Sequence, residues 1–442
     1  MRPCLAFDMA PSSIPSAPAT RSADDAAEVA VVADDLTGAA DTAVHFLRPG
    51  QEILLVSMGG IGRGPVHPEG GGLAIDTGTR GLEPADAVRE VRRAAGLVRR
   101  LEPALVYEKI DSQLRGRPGL EVETLRRELG LRCALVAPAH PDEGRVTSEG
   151  VHLVRGVPVA DAEPGRDPVA PVTESRLPAL VALQSGVDVG HVSLADLRRG
   201  SAFLDARIEG LMAEGKKAIT FDAASARDLE LVAEVAFRRS GEVLLAGSAG
   251  LAMALAARRR SGEPTSPAPL PCKAMLFVCG SMAGALRRQV ARLVASGRCL
   301  AVTWTPGSLA GAAGREELER SAAAAWAAND VVLKTPEDRL DAAACPTAVL
   351  LDGLAQLAVG LVARRKPDGL FLSGGDTARA VLAAAGVGAL RLRGEASPGV
   401  AWGLAVGGIL DGVAVLTRSG AFGGDDDLVA LHDECRKGAT HG

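Results

Sequence analysis

Two adjacent carboxylates follow an apolar run near the start of the sequence. Asp34 and Asp35 stand in VVADDLTGAADTAV, residues 31–44, where a buried strand is expected to lead into a helix. Ligands bind at the carboxyl ends of the strands in open α/β sheets. Asp35 or Thr37 alone could cap the helix, so the second carboxylate favours a functional pair.

A second polar cluster follows the apolar run ALVY. Residues 108–119, EKIDSQLRGRPG, contain Lys109, Asp111, Ser112 and Arg115. Arginine binds a carboxylate through two parallel hydrogen bonds, and Asp and Ser can hydrogen-bond to hydroxyl groups. The cluster therefore predicts a site for a small, hydroxylated anion; the alternative is a surface loop of ion pairs.

A third polar loop, residues 137–150, has the sequence APAHPDEGRVTSEG and contributes Arg145. Polar loops with Pro and Gly are common, so this segment alone predicts little. It also follows a strand, and the carboxyl ends of parallel strands meet at one edge of a sheet. We therefore expect the three loops to form one substrate site.

The C-terminal part of the chain has a different pattern. Residues 277–290, 371–382 and 416–429 each run from a strand through a Gly-rich turn into a helix. Such turns direct backbone N–H groups at phosphate oxygens, helped by the helix dipole. Glycine also serves close helix–strand packing, and neither G-x-x-x-x-G-K-[ST] nor G-x-G-x-x-G occurs. Three such turns together predict a nucleotide site.

The composition limits the class of protein. A chain of 442 residues is expected to form two or three domains. A net charge of −5 and only one Tyr and three Trp argue against a nucleic-acid partner. No apolar window is long enough to predict a membrane span. Seven Cys without a C-x-x-C pair favour a reducing cytoplasm, and the His spacing gives no zinc motif.

Short apolar strands alternate with helical patterns, which indicates parallel sheets covered by helices on both faces. Residues 145–159 break this pattern and predict a β-hairpin flap that turns near Arg155–Gly156. We expect an α/β fold with two domains, each a largely parallel sheet flanked by helices. The predicted parts are a disordered extension (1–27), a substrate domain (28–260), a Pro-rich linker (261–273) and a nucleotide-binding domain (274–442).

In this order the motifs resemble those of the four-carbon acid sugar kinases, which include 3-oxo-tetronate, D-threonate and D-erythronate kinases. The resemblance covers roughly residues 28–438. It rests on DDLTGAAD (34–41), KIDSQLRG (109–116), PAHPDEGR (138–145), GSAGLA (247–252), CGSMAG (279–284), SGGDTA (373–378) and RSGAFGGDD (418–426). It implies phosphorylation of the terminal hydroxyl of a tetronate-type acid, with ATP and Mg²⁺ as cofactors.

The motifs also suggest roles for individual residues. We favour Asp35 as the general base, with Asp34 and Asp111 as alternatives. The resemblance implies that Lys109, Ser112 and Arg115 bind the acid sugar, and the loops add Thr37 and Arg145. The implied ATP-binding residues are Ser281, Gly374, Gly375, Asp376, Thr377, Gly420 and Gly423. No metal ligand is assigned.

The sequence departs from the family pattern at three positions. Gln113 stands where Thr is usual, Arg418 where Lys is usual and Ala421 where Asn is common. Arg and Lys are not interchangeable at a phosphate. The departures therefore leave open a non-catalytic protein that senses a nucleotide or a sugar acid. The expected partners are small molecules, with no nucleic acid and no membrane, and a homodimer is a candidate assembly.

Overall fold

A computed structural model describes residues 28–59, 71–259, 270, 272–281, 283–305, 308, 312–335 and 347–438. The predicted N-terminal extension and most of the predicted linker lie outside these residues. The strands are β1 (Val29–Ala33), β2 (Ile53–Ser57), β3 (Gly72–Asp76), β4 (Leu105–Lys109), β5 (Cys133–Ala137), β6 (Arg145–Ser148), β7 (Val151–Val154), β8 (Val157–Pro158), β9 (Val189–Val192), β10 (Ala218–Phe221), β11 (Val243–Gly247), β12 (Met275–Cys279), β13 (Cys299–Thr303), β14 (Asp330–Lys334), β15 (Gly369–Ser373), β16 (Ala389–Ser397), β17 (Val400–Val406) and β18 (Ala414–Arg418).

The helices follow most of the parallel strands and cover the sheet. They are α1 (Leu36–Ala43), α2 (Pro84–Leu101), α3 (Pro118–Glu128), α4 (Leu177–Ser185), α5 (Leu194–Leu197), α6 (Ser201–Ala213), α7 (Ala226–Arg238), α8 (Ala249–Arg259), α9 (Gly284–Ala295), α10 (Ala312–Ala328), α11 (Thr347–Arg364), α12 (Gly375–Ala384) and α13 (Asp427–Gly438). In α2, Pro84 fixes the first turn and Ala87, Val91, Ala94 and Val98 bury one face.

Fifteen strands form one continuous sheet. The order is β13-β14-β12-β15-β18-β17-β16-β2-β3-β1-β4-β11-β5-β10-β9. The segment β13-β14-β12-β15-β18 is parallel throughout and forms one block. The segment β2-β3-β1-β4-β11-β5-β10-β9 is likewise parallel and forms the other block. The β16–β17 hairpin joins the two blocks through antiparallel pairings. The α/β class with two parallel blocks is confirmed, and the structure adds that their sheets are continuous.

The two blocks repeat one topology. In each, the first strand lies inside the sheet, the second and third lie on one side of it, and the fourth pairs on the other side: β2-β3-β1-β4 and β13-β14-β12-β15. The first and fourth strands therefore flank a topological switch point, where the carboxyl ends leave a crevice for ligands. The crevices lie beyond β1 and β4, and beyond β12 and β15.

Twist allows the two crevices to face each other. Three successive antiparallel pairings reverse the strand direction between the blocks. Six pairing steps separate β1 from β15, and roughly 20–25° of twist per step rotates them by about 120–150°. Two irregularities in β16 interrupt its register and bend the hairpin. The carboxyl ends of both blocks can therefore meet.

A small second sheet forms the flap. Strands β6, β7 and β8 pair antiparallel, with turns at Glu149–Gly150 and at the predicted Arg155–Gly156. The buried His152 of β7 hydrogen-bonds through Nε2 to the backbone oxygen of Ser112 at 2.9 Å. The flap is thereby fixed to the loop that follows β4.

Candidate active site

The carboxyl ends of β1, β3 and β4 lie side by side. Ala33, the last residue of β1, is in register with Asp76 on β3 and with Lys109 on β4. Asp34 and Asp35 follow directly. Asp35 lines a cavity, and the other lining residues are Thr37, Gly38, Asp41, Arg80, Lys109, Asp111, Ser112, Arg115, His140, Ala249, Gly399, Ser419 and Phe422. Both blocks contribute to this lining.

Arg80 organises the aspartate pair, and sequence reasoning missed it. Its Nε and Nη2 donate to both carboxylate oxygens of Asp34 at 2.7 and 2.8 Å, and its Nη1 donates to Asp35 at 2.7 Å. Arg80 lies in the turn after β3, and this position just beyond a strand end is the sequence feature that could have identified it. One guanidinium thus bridges two adjacent buried carboxylates.

The two aspartates differ in their access to the cavity. Asp35 lines it and also caps α1, because Oδ1 accepts a hydrogen bond from the N–H of Gly38 at 2.7 Å. Burial opposes ionisation of Asp35, but Arg80 and Lys109 outweigh it and hold its pKa below the ordinary value. Asp34 is not among the lining residues, and burial raises its pKa despite Arg80.

The loop after β4 brings another ion pair to the cavity. Arg115 donates through Nε to Asp111 at 2.7 Å, and its backbone N–H donates to the same carboxylate at 3.1 Å. Burial opposes ionisation here too, yet Arg115 and Arg80 hold the pKa of Asp111 well below its ordinary value. Ser112 and Lys109 line the same wall. Gln113 is buried but is not among the lining residues.

Of the remaining predicted substrate residues, Thr37 lines the cavity, whereas Arg145 lies behind the lining residue Phe422. The hydroxyl of Thr37 lies 3.2 Å from Oδ2 of Asp35. Arg145, the first residue of the flap, is buried, and its guanidinium lies 4.7 Å from the ring centroid of Phe422. Phe422 belongs to the second block and lines the cavity.

A further carboxylate lines the cavity without having been singled out. Burial raises the pKa of Asp41 to about 6. Asp41, His45 and Glu395 have potential ligand atoms within 4.8 Å of one another. A set of one imidazole and two carboxylates is suited to transition metals, since Mg²⁺ is usually bound by oxygen ligands.

Three glycine turns of the second block lie together at the carboxyl ends of β12, β15 and β18. A Cβ added to Gly420 would overlap the side chain of Ser281, and Gly374 has Ser281 and Thr377 as its nearest neighbours. Gly374 has φ +98°, a conformation in which a side chain would be strained. The turns after β12, β15 and β18 therefore pack together with little side-chain volume.

Arg418, Gly423 and Asp376 of this block lie outside the lining of the cavity. The buried Arg418 donates to the side-chain oxygen of Gln289 and, at 3.2 Å, to Asp427, and it is not among the residues that line the cavity. Gly423 lies beside this cluster, since a Cβ there would be 2.8 Å from Nη1 of Arg418. Asp376 is 69% exposed by its side chain and lies 3.2 Å from Arg379.

The two blocks approach each other at residues of the candidate site. A Cβ on Gly375 would lie 2.9 Å from Oδ2 of Asp35. Beside this contact, Arg379 of α12 donates from Nε and Nη2 to both oxygens of the fully buried Asp76 at 2.8 and 2.9 Å. The start of α12 is thus fixed against the carboxyl ends of β1 and β3.

Comparison with known proteins agrees with this arrangement. A family model described as a sugar-binding N-terminal domain matches residues 29–255, and one described as a nucleotide-binding C-terminal domain matches residues 276–428. A D-threonate kinase of Salmonella typhimurium is 34% identical, with 90% of this chain and 96% of the relative covered. The chain belongs to the four-carbon acid sugar kinase family. The resemblance inferred from the motifs is therefore confirmed.

Other members of the four-carbon acid sugar kinase family differ in their named substrates. A D-erythronate kinase of Heliobacterium modesticaldum is 29% identical, with 90% of this chain and 94% of the relative covered. A crystal structure from Salmonella typhimurium LT2, described as a tRNA synthase, superimposes with a TM-score of 0.76 at 23% identity, with 93% of this chain and 99% of that chain covered. At this identity the likeness supports the fold alone. No helix among the described residues has the length and apolarity needed to cross a membrane.

Proposed function

We propose that the chain transfers the terminal phosphoryl group of ATP to the terminal hydroxyl of a four-carbon sugar acid. The observation that carries this proposal is the close approach of Gly375 to Asp35, since a Cβ added to Gly375 would lie 2.9 Å from Oδ2. It brings a carboxylate of the charged site against the glycine turn at the start of α12. An acceptor hydroxyl at Asp35 and a phosphate at this turn would be neighbours, as phosphoryl transfer requires.

Asp35 is the proposed general base. Its low pKa keeps the carboxylate ionised at neutral pH, and its position at the cavity wall lets it accept a proton from a substrate hydroxyl. Asp34 directs both oxygens to Arg80 and so is proposed to position that guanidinium. Asp111 and Ser112 are proposed to hydrogen-bond the other substrate hydroxyls, and Lys109 to stabilise charge that develops at the transferred phosphoryl.

ATP is proposed to lie on the glycine turns of the second block. The packing of Gly420 and Gly374 around Ser281 leaves backbone N–H groups, rather than bulky side chains, at the ends of β15 and β18. Gly375, Thr377 and Gly423 belong to the same turns. Mg²⁺, when bound, would neutralise phosphate charge. The exposed carboxylate of Asp376, beside Gly374 and Gly375, fits this hard cation.

The test is the release of ADP in the presence of Mg-ATP and a panel of four-carbon acids. D-threonate and D-erythronate come first, because relatives are named as their kinases, followed by 3-oxo-tetronates. We expect one acid to give ADP and a phosphorylated acid in equal amounts. ATP binding without turnover on any of these acids would contradict the proposal and favour the sensing alternative.

Three further properties are part of the proposal. The domain limits 28–260 and 274–442, with the linker 261–273, agree with the residues matched by the two family models. A cytoplasmic location is supported by the free thiols of the five described cysteines. The homodimer stays a prediction, which light scattering of the purified chain would test.

A further inference from the structure

Arg145 is a buried cation whose side chain makes no hydrogen bond. The residue is 3% exposed, and its Nε and Nη1 atoms are buried without a hydrogen-bond partner. The nearest carboxylate oxygen, on Glu143, lies 3.7 Å from Nη1, beyond hydrogen-bond distance. A buried guanidinium in this state is costly, because its donors have lost water without gaining acceptors.

The other arginines at the cavity are already paired. Arg80 donates three hydrogen bonds to Asp34 and Asp35, and Arg115 donates to Asp111. The guanidinium N–H groups of Arg80 and Arg115 therefore already have carboxylate acceptors when no ligand is bound. Arg145 does not line the cavity itself, but it lies against two lining residues, Phe422 and His140. An anionic group bound at that side therefore finds its unoccupied bidentate donor at Arg145 rather than at Arg80 or Arg115.

Phe422 holds this guanidinium from the opposite block. The Arg145 carbon Cζ lies 4.7 Å from the ring centroid, a cation–π distance. Phe422 lines the cavity, as does His140, whose backbone N–H donates to the backbone oxygen of Arg145 at 2.8 Å. The ring covers one face of the guanidinium, so the N–H groups at its edge are the part left for a ligand.

We propose that Arg145 is the anchor for the carboxylate of the sugar acid, and that Phe422 positions it from the nucleotide-binding block. This inference rests on the proposed function and deepens it, because it explains why the substrate must be an acid. The carboxylate binds at the flap, and the far end of the four-carbon chain carries the reacting hydroxyl to Asp35. Asp111 lines the same cavity as Asp35.

The decisive experiment compares an acid with the matching polyol, in which CH₂OH replaces the carboxylate. Arg145→Gln should lower kcat/KM for the acid by about 10- to 100-fold, the value of a hydrogen-bonded charged pair. It should change kcat/KM for the polyol by no more than about twofold. Arg145→Lys should restore only part of the loss, because an ammonium cannot form the bidentate contact. Arg92→Gln, on the exposed face of α2, is the matched control.

A second measurement covers the case in which the polyol reacts too slowly with any variant. The acid alone should raise the unfolding temperature of the wild type and leave that of Arg145→Gln nearly unchanged. Without ligand, Arg145→Gln should unfold at the same temperature as the wild type or higher, because it removes a buried charge whose Nε and Nη1 have no hydrogen-bond partner. Phe422→Leu should lower kcat/KM for the acid by about two- to fivefold.

The results separate the two proposals. An equal loss of kcat/KM for acid and polyol in Arg145→Gln, or undiminished stabilisation of that variant by the acid, would overturn the anchor while leaving the kinase intact. A wild type that binds ATP and phosphorylates no four-carbon acid would instead overturn the proposed function.

Discussion

The two blocks of the molecule share a strand order but differ in how they would recognise ligands. Beyond β1 and β4 the crevice is lined by buried charges, with Arg80 between Asp34 and Asp35. Beyond β12 and β15 the turns are built of glycine and small hydroxyl residues. The strand order determines where a ligand would bind, whereas the residues of the loops determine which class of ligand is recognised.

This difference predicts two kinds of sensitivity to mutation. In the first block Arg80 pairs with Asp34 and Asp35, and Arg115 pairs with Asp111, so the loss of one member leaves its partner buried and unpaired. In the second block the backbone N–H groups are proposed to bind the phosphates of ATP. An added Cβ should therefore weaken ATP binding more than the loss of a side chain does. The following substitutions test that contrast.

Asp35→Asn should have the largest effect. Loss of the proposed base should reduce kcat by about 10²- to 10⁴-fold, with the Kd of ATP changed no more than a few-fold. Single-turnover kinetics and calorimetry measure the two quantities. Asp86→Asn, an exposed acid on α2, is the control. A variant with more than about a tenth of wild-type kcat would remove Asp35 from this role.

Arg379→Gln tests the ion pair that joins the blocks. It leaves the fully buried Asp76 without its bidentate partner, which should reduce the free energy of unfolding by about 3 kcal/mol. Denaturant unfolding measures the change. Adding Asp76→Asn to this variant should recover part of the loss. A change within about 0.5 kcal/mol, as at an ordinary surface site, would show that the pair does not hold the blocks together.

Gly420→Ala tests recognition by backbone in the second block. The new Cβ would overlap Ser281, and the turns must separate to accept it. We expect the KM for ATP to rise about tenfold, with the KM for the acid unchanged. Gly360→Ala, in α11 with open space around the new Cβ, should leave both values unchanged. Equal rises in both KM values for Gly420→Ala would contradict the assignment.

Glu121→Gln should have the smallest effect, and one that depends on pH. Burial and the neighbouring Asp34 raise the pKa of Glu121 from 4.5 to about 8. The folded chain therefore holds a proton that the unfolded chain releases, and the wild type loses stability as pH rises from about 4.5 to about 8. Gln cannot ionise, so the variant should unfold within a degree or two of the wild type at pH 4.5 and a few degrees higher at pH 8.5. A constant difference across this range would show that Glu121 does not titrate there.

The sequence predicted best those features that depend on a short stretch of neighbouring residues. Continuous apolar runs predicted the parallel strands, and the strand-end rule placed Asp35 and Lys109 at one edge, because β1 and β4 are neighbours in register. The β16–β17 hairpin was missed, since the charged residues Arg391, Arg393 and Glu395 of β16 fit neither a buried parallel strand nor a helix. That hairpin joins the two sheets, so their continuity could not be foreseen either.

Contacts between distant segments account for the other differences. Arg80 has no motif of its own, and its role appears only when the turn after β3 folds against β1. Arg418 lies before a Gly-rich turn, which suggests a phosphate contact, yet packing directs its side chain to Gln289 and Asp427. The direction of a long side chain such as Arg418 depends on the residues that pack around it in the fold. The spacing of residues in a sequence motif does not reveal those neighbours.

Binding of each ligand alone to one variant from each block tests the division of labour most directly. Calorimetry would measure D-threonate, or whichever acid proves to be the substrate, and a non-hydrolysable ATP analogue with Asp111→Asn and Gly420→Ala. The account predicts a crossover: Asp111→Asn weakens the acid about tenfold or more and spares the nucleotide, while Gly420→Ala does the reverse. If both variants weakened both ligands by the same factor, the separation of the two sites would be contradicted.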